Sequence, residues 1–95
     1  MHTLHIEHPV TDFATWEQAF ARFAARRRAG GVVGERVSRP DGDEHHVVVA
    51  LDFPSAAQAH AFEQFLRDVV WSTPSNAPAL AGSPVTRVLE VVATG

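Results

Sequence analysis

The order of hydrophobic patterns along this chain constrains its fold more than any other feature. A period-two stretch comes first, followed by a helical pattern, two strand patterns around a tight turn, a second helical pattern, a loop rich in Pro and Ala, and a last strand. That order predicts two split βαβ units, interleaved into one antiparallel sheet with both helices on the same face. A chain of 95 residues has nothing left to cover the other face. We therefore expect a single domain, residues 1–95, with one open sheet face.

The first half of the chain carries clear signals for a strand and a helix. From His2 to Val10 apolar and polar residues alternate, which is typical of a half-buried strand. Asp12 is a candidate N-cap, and Gly30 and Gly31 supply the end of the helix. The apolar face of this helix is predicted to consist of Phe13, Trp16, Phe20 and Phe23.

The second half predicts a hairpin, a helix and a final strand. The hairpin joins Val32–Pro40 to His45–Phe53, and Ser55 with Gln58 forms a capping box for a helix that runs to about Trp71. Residues 73–84 are too apolar for a disordered linker, so we expect an ordered, packed loop. The phase of the last strand, Val85–Val92, stays open, and with it the orientation of Arg87 and Glu90.

Composition excludes several classes of function. Eleven acidic residues against eight arginines give a net charge of -3, which argues against nucleic acid or an anionic membrane as partner. The absence of cysteine excludes thiol nucleophiles and Fe–S clusters. Arg26, Arg27 and Arg28 fall in the last helical turn, where cations stabilise the helix dipole. With no leader-like start and no membrane-spanning apolar run, we expect a cytoplasmic protein.

The six histidines do not predict a metal site. His2, His5 and His8 are spaced by three, but on a strand His5 points away from the other two. His45 and His46 likewise point to opposite faces. Because no set converges as zinc or non-haem iron requires, we expect no metal and no cofactor.

The open sheet face carries the candidate catalytic residues. His5 and Glu7 are neighbours there, so the carboxylate can orient the imidazole, which we predict to be a general acid or base. Arg36, on the second strand, is predicted to stabilise developing negative charge. His46 and Val48 extend this wall, and Phe65 with Trp71 is predicted to form its apolar, substrate-binding side. The alternatives are that the polar residues belong to a solvated sheet face and that Trp71 closes the core edge.

Particular residues also point to a known family. The first strand ends in Val10-Thr11-Asp12-Phe13 and leads into Trp16, and the second helix carries A-x-x-F-x-x-F-L over 59–66. In this pattern the chain resembles the antibiotic biosynthesis monooxygenase-like superfamily of dimeric α/β barrels. The resemblance implies a ferredoxin-like α+β fold of order βαββαβ. It also implies a homodimer in which two open sheet faces meet.

The resemblance leaves several activities open, because the superfamily includes cofactor-free oxygenases, haem-degrading enzymes and isomerases. The chain has no Tyr, which quinone-oxidising members often use, and its only Asn is Asn76 in the late loop. We expect a small-molecule enzyme, a cofactor-independent monooxygenase or a proton-transfer enzyme, acting on an aromatic or polyketide-like substrate. The alternatives are a non-catalytic small-molecule binding protein and a haem-binding protein that uses His60.

Overall fold

The computed structural model describes all residues, 1–95, and contains one four-stranded antiparallel sheet with its helices on one face. The strands are β1 (His2–Pro9), β2 (Gly34–Ser38), β3 (His46–Phe53) and β4 (Val85–Glu90), in the spatial order β2-β3-β1-β4. The helices are α1 (Phe13–Arg22), α2 (Ala24–Ala29) and α3 (Ala56–Phe65), and α3 continues into a π-helical turn, Leu66–Val70. The predicted ferredoxin-like βαββαβ fold is thus confirmed.

The two central strands have the predicted alternation. In β1 Leu4 and Ile6 are buried, and in β3 every second residue from Val47 to Phe53 is buried. The two strands pair antiparallel with Leu4 opposite Leu51 and His5 opposite Ala50. Since paired residues in an antiparallel ladder point to the same side, one face of the sheet is apolar and faces the helices, while the other is open.

The fourth strand takes the phase that the sequence left undecided. Val88 lies opposite Leu4 and packs against the core, whereas Arg87 lies opposite His5 on the open face. The neighbouring Val85 and Leu89 are therefore exposed on the open face as well. Glu90 lies opposite His2 at the end of the strand, on the helix side.

The first helical segment begins as predicted but is interrupted. The Asp12 side chain accepts a hydrogen bond from the Thr15 amide at 2.9 Å, as an N-cap does. At Phe23 the backbone leaves helical geometry (φ -100°, ψ 13°), which separates α1 from α2. No Pro or Gly marks this break in the sequence. Of the two glycines at the end, Gly31 alone has a positive φ, 99°.

The third helix and the loop after it cover the open end of the core. The Ser55 hydroxyl caps α3 by accepting from the Gln58 amide, and it donates to Oε1 of the Gln58 side chain. The π-helical turn brings Val70 into the core and leaves Val69 exposed. The predicted packing of the late loop is confirmed, because Ala79 is buried and Leu80 bridges to Val10. No helix is long and apolar enough to cross a membrane.

Candidate functional site

An apolar cavity lies between the sheet and the helices. Fourteen of its 17 lining residues are hydrophobic, and the three polar ones are His8, Arg27 and Asn76. The space open to the centres of water molecules is about 70 Å³. One water needs roughly 10–15 Å³ on that scale, so the cavity has room for a small organic molecule.

Its walls come from every layer of the fold. The strands β1 and β3 supply the floor, including Ile6 and Val49, and α1 supplies Trp16 and Phe20, whose rings stack with centroids 4.9 Å apart. Trp71 follows the π-helical turn and also lines the cavity. The late loop closes one end through Asn76 and Ala79. Such a concave, mostly apolar site with a few polar groups is the usual form of a small-molecule site.

His8 is the only titratable lining residue other than Arg27. Its side chain belongs to the buried face of β1 and is only 4% exposed. Nδ1 lies 3.0 Å from the Pro9 carbonyl oxygen and donates to it, and the ring contacts Trp16 and Trp71 edge-on, each with centroids 6.4 Å away. With the proton on Nδ1, Nε2 carries the lone pair and makes no hydrogen bond within the protein. The one fully buried side-chain nitrogen without a partner is Nδ1 of His2.

Burial sets the protonation state of this histidine. Loss of solvation lowers the pKa of His8 below the usual 6.5, and the nearby His46 lowers it further, while the bond to Pro9 opposes these effects. His8 is therefore a neutral imidazole at pH 7, with an accepting nitrogen inside an apolar cavity. That is the state a general base requires.

Arg27 is the second polar group of the cavity and is 5% exposed. Its Nε donates to Glu35 Oε2 at 2.6 Å, its Nη1 donates to the Phe20 carbonyl at 2.6 Å, and its guanidinium lies 3.6 Å from the Phe20 ring centroid. The prediction that Arg26, Arg27 and Arg28 fall in the last helical turn is confirmed in α2. Arg26 and Arg28 are exposed, but Arg27 turns under the helix to reach β2.

The open sheet face brings three of the predicted residues into contact. His5 Nε2 lies 2.9 Å from Glu7 Oε2, and His46 Nε2 lies 3.6 Å from Glu7 Oε1. The hydrogen bond from His5 lowers the pKa of Glu7 below 4.5. All three side chains keep between a quarter and a half of their surface exposed.

The remaining predicted residues do not join that cluster. Arg36 is exposed on β2, opposite Ala50, so the whole of β3 separates it from His5. Val48 lies on the open face opposite Glu7. Trp71 lines the cavity on the other side of the sheet, and Phe65 packs against the core there. Within one protomer, the expected common chamber of His5 with Trp71 and Phe65 is therefore not formed.

Sequence reasoning missed His8 and Arg27. The alternation in β1 already placed His8 on the buried face with Leu4 and Ile6, so a buried histidine was detectable. It was considered only as a metal ligand. For Arg27 the sequence carried no distinct signal, because its partner Glu35 lies in the next strand and the fold alone brings them together.

Solved structures share this architecture at low sequence identity. The chain superposes on a dimeric ferredoxin-like protein from an uncultured marine organism with a TM-score of 0.67 and 14% identity, covering 99% of this chain and 97% of that one. A second dimeric ferredoxin-like protein, also from an uncultured marine organism, gives 0.64 and 11%, with 100% and 98% covered.

The third similar structure is an antibiotic biosynthesis monooxygenase, with a TM-score of 0.68 and 9% identity over 98% of this chain and all of that one. No protein-family model matches the chain, and no curated protein sequence matches it significantly. Identities this low show the fold alone. The predicted resemblance is therefore confirmed at the level of structure: this chain has the ferredoxin-like fold of those proteins, the antibiotic biosynthesis monooxygenase among them.

Proposed function

We propose that this protein is a small-molecule enzyme that binds an aromatic hydroxyl compound in the apolar cavity and removes the hydroxyl proton with His8. The observation that carries the proposal is a neutral imidazole, 4% exposed, whose Nε2 lacks a partner and borders an apolar cavity. The protein supplies no hydrogen-bond donor to Nε2, and a ligand in the cavity can supply one. The hydroxyl group of a phenol or naphthol is such a donor.

The surroundings of His8 suit a planar substrate. Trp16, Phe20 and Trp71 offer aromatic faces and edges, and aromatic pairs favour stacked or edge-to-face contact. The low dielectric of the apolar lining strengthens the hydrogen bond from substrate to Nε2. Proton transfer then gives an electron-rich aryloxide beside an imidazolium.

The reaction proposed for that anion is cofactor-independent oxygenation. An aryloxide with a free para position donates electrons to O₂, and one oxygen atom becomes the second carbonyl of a quinone. The two hydrogens lost by the substrate, from O–H and para C–H, leave with the other oxygen atom as water. Fold similarity to an antibiotic biosynthesis monooxygenase supports this reaction class as an analogy.

We also propose that the working form is a homodimer joined through the open sheet face. Two proteins of similar structure are described as dimeric. The face itself is suited to self-association, since apolar Val85 and Leu89 are exposed and the charges of Glu7 and Asp52 balance those of Arg36 and Arg87. A second copy would cover this face and leave the cavity, on the other side of the sheet, available to substrate.

The test is oxygen uptake and quinone absorbance with 1-naphthol, comparing the wild type with His8→Asn. The Asn amide can keep the hydrogen bond to the Pro9 carbonyl but supplies no base. His60→Asn is the matched control, because His60 is an exposed histidine on the outside of α3. We expect turnover in the wild type and the control and none above background in His8→Asn.

A binding protein of the same fold is the competing function. It would quench the fluorescence of Trp16 and Trp71 on adding 1-naphthol, while oxygen uptake stayed at background. That result would remove the enzymatic part of the proposal. The catalytic roles of His5, Glu7 and Arg36 stay a prediction, which a His5 variant tests.

A further inference from the structure

Part of the Arg27 guanidinium takes no part in the contacts that hold this side chain in place. Two of its three guanidinium nitrogens donate to Glu35 and to the Phe20 carbonyl, and the third, Nη2, makes no hydrogen bond within the protein. Yet the residue is 5% exposed and lines the cavity. A guanidinium has five N–H donors, so Nη2 has hydrogens left for an acceptor in the cavity.

The two polar groups are separated by an aromatic ridge. His8 contacts Trp16, Trp16 stacks on Phe20, and the guanidinium of Arg27 lies over Phe20. The ridge follows one face of the first helical segment, from its first turns to α2. An acceptor atom and a donor atom thus border the same cavity with two stacked rings between them.

The charge around Arg27 selects the kind of acceptor. Glu35 already neutralises the guanidinium through a 2.6 Å contact, and His8 is uncharged at pH 7. An anionic ligand group would bring an unbalanced charge into an apolar cavity, which is costly. A neutral carbonyl oxygen needs only the free N–H.

We propose that the cavity recognises a neutral aromatic ligand with a hydroxyl group at one end, directed to His8, and a carbonyl oxygen at the other, held by Arg27. This inference rests on the proposed function and adds the substrate class: a hydroxyaryl ketone of one or two fused rings. Arg27 is a specificity-determining residue, while His8 takes the proton.

The experiment compares three bicyclic probes by fluorescence titration. The first, 5-hydroxy-1-tetralone, has both groups at opposite edges. The second, 5,6,7,8-tetrahydro-1-naphthol (tetrahydro-1-naphthol for short), keeps the phenolic hydroxyl but lacks the carbonyl. The third, 1-tetralone, keeps the carbonyl but lacks the hydroxyl. We expect the wild type to bind the first probe about tenfold or more tighter than either of the others, since each lacks one hydrogen bond to a buried group.

Variants assign the carbonyl contact to Arg27. In Arg27→Met the preference for 5-hydroxy-1-tetralone over tetrahydro-1-naphthol should fall to less than about twofold, with the affinity for tetrahydro-1-naphthol maintained. Circular dichroism checks that the variant folds. If Arg27→Met does not fold, Glu35→Gln provides the second test, because it keeps Arg27 but removes its counter-charge. This variant should bind the anion 5-hydroxy-1-naphthoate about tenfold tighter than the wild type does.

The outcomes separate this inference from the function beneath it. Equal affinity of the wild type for 5-hydroxy-1-tetralone and tetrahydro-1-naphthol, with tetrahydro-1-naphthol still oxidised, overturns carbonyl recognition and leaves the proposed function standing. An unchanged preference in folded Arg27→Met, or an unchanged affinity for the naphthoate in Glu35→Gln, also overturns it. Failure of all three probes to bind overturns both.

Discussion

The two faces of the sheet carry histidines in opposite situations. On the open face His5 and His46 each direct Nε2 to Glu7, and their side chains remain partly exposed. On the helix face His8 is 4% exposed and keeps one nitrogen without a partner. The open face has more ionisable groups, but they are in contact with solvent, whereas the free nitrogen of His8 belongs to a side chain that lines an apolar cavity. A free nitrogen that borders an apolar cavity is the better indication of a ligand site, because a ligand there can supply the hydrogen bond that water supplies at the surface.

The sharpest way to break this comparison is to remove one histidine from each face. His8→Asn should lower kcat/KM for 1-naphthol by about 10²–10⁴-fold, the usual contribution of a general base. His5→Asn, on the open face, should lower it far less. Oxygen uptake measured at equal dimer concentration checks both. A large loss in His5→Asn with activity retained in His8→Asn would return catalysis to the open face, where the sequence first indicated it.

Much of this comparison was available from the sequence. Alternation in β1 and β3 separated the two faces correctly, so the neighbours His5, Glu7 and His46 were predicted as a group and are found in contact. Period-two patterns are reliable here because the central strands bury one complete face. The edge strand β4 buries only Val88 well enough to pack on the core, and its pattern therefore left the phase open.

The cavity itself was beyond sequence reasoning. Its existence depends on how α1 and α3 pack over the sheet, and on the break at Phe23 and the π-helical turn, neither of which has a local signal. The Arg27–Glu35 pair joins a helix to the following strand. Helical spacing gives each residue's direction on its own element, but not the distance between elements.

The second prediction concerns the open face as an interface. Ala50 lies at its centre, between His5 on β1 and Arg36 on β2. Ala50→Arg would add a large unpaired charge to each partner, which should weaken a sheet-to-sheet dimer by about 2–5 kcal/mol. Sedimentation velocity should show dimers for the wild type and folded monomers for the variant. A wild type that sediments as a monomer at micromolar concentration would contradict the proposed interface.

The third prediction concerns the loss of activity and stability at low pH that His8, on the helix face, should cause. The pKa of His8 lies below 6.5, so the base is intact at pH 7, and kcat/KM should fall about tenfold per pH unit once the pH passes below that pKa. Stability changes in the same direction. Between the lowered pKa and 6.5 the unfolded state binds more protons, so the free energy of unfolding declines as the pH falls.

The measurement is a pH profile of kcat/KM from pH 4.5 to 8, with unfolding followed by urea at the same pH values. His8→Asn should flatten the part of the stability curve just below pH 6.5, while His60→Asn should not. A midpoint of the activity profile above 6.5 would mean that a different group is the base.

The smallest predicted effect is a difference in stability between two variants. One removes the charge of Glu35, which binds Arg27, and the other removes the charge of Glu7, which contacts His5 on the open face. Glu35→Gln leaves the buried guanidinium of Arg27 without its counter-charge, although the amide oxygen still accepts from Nε. Because Glu35 is itself partly exposed, the cost should be about 1–2 kcal/mol in the free energy of unfolding. Glu7→Gln affects only groups in contact with solvent and should change the stability of the protomer less. Urea denaturation in the monomeric Ala50→Arg background measures both without interference from dimerisation. A larger cost for Glu7→Gln would show that the open face, rather than the cavity face, depends on its ion pair.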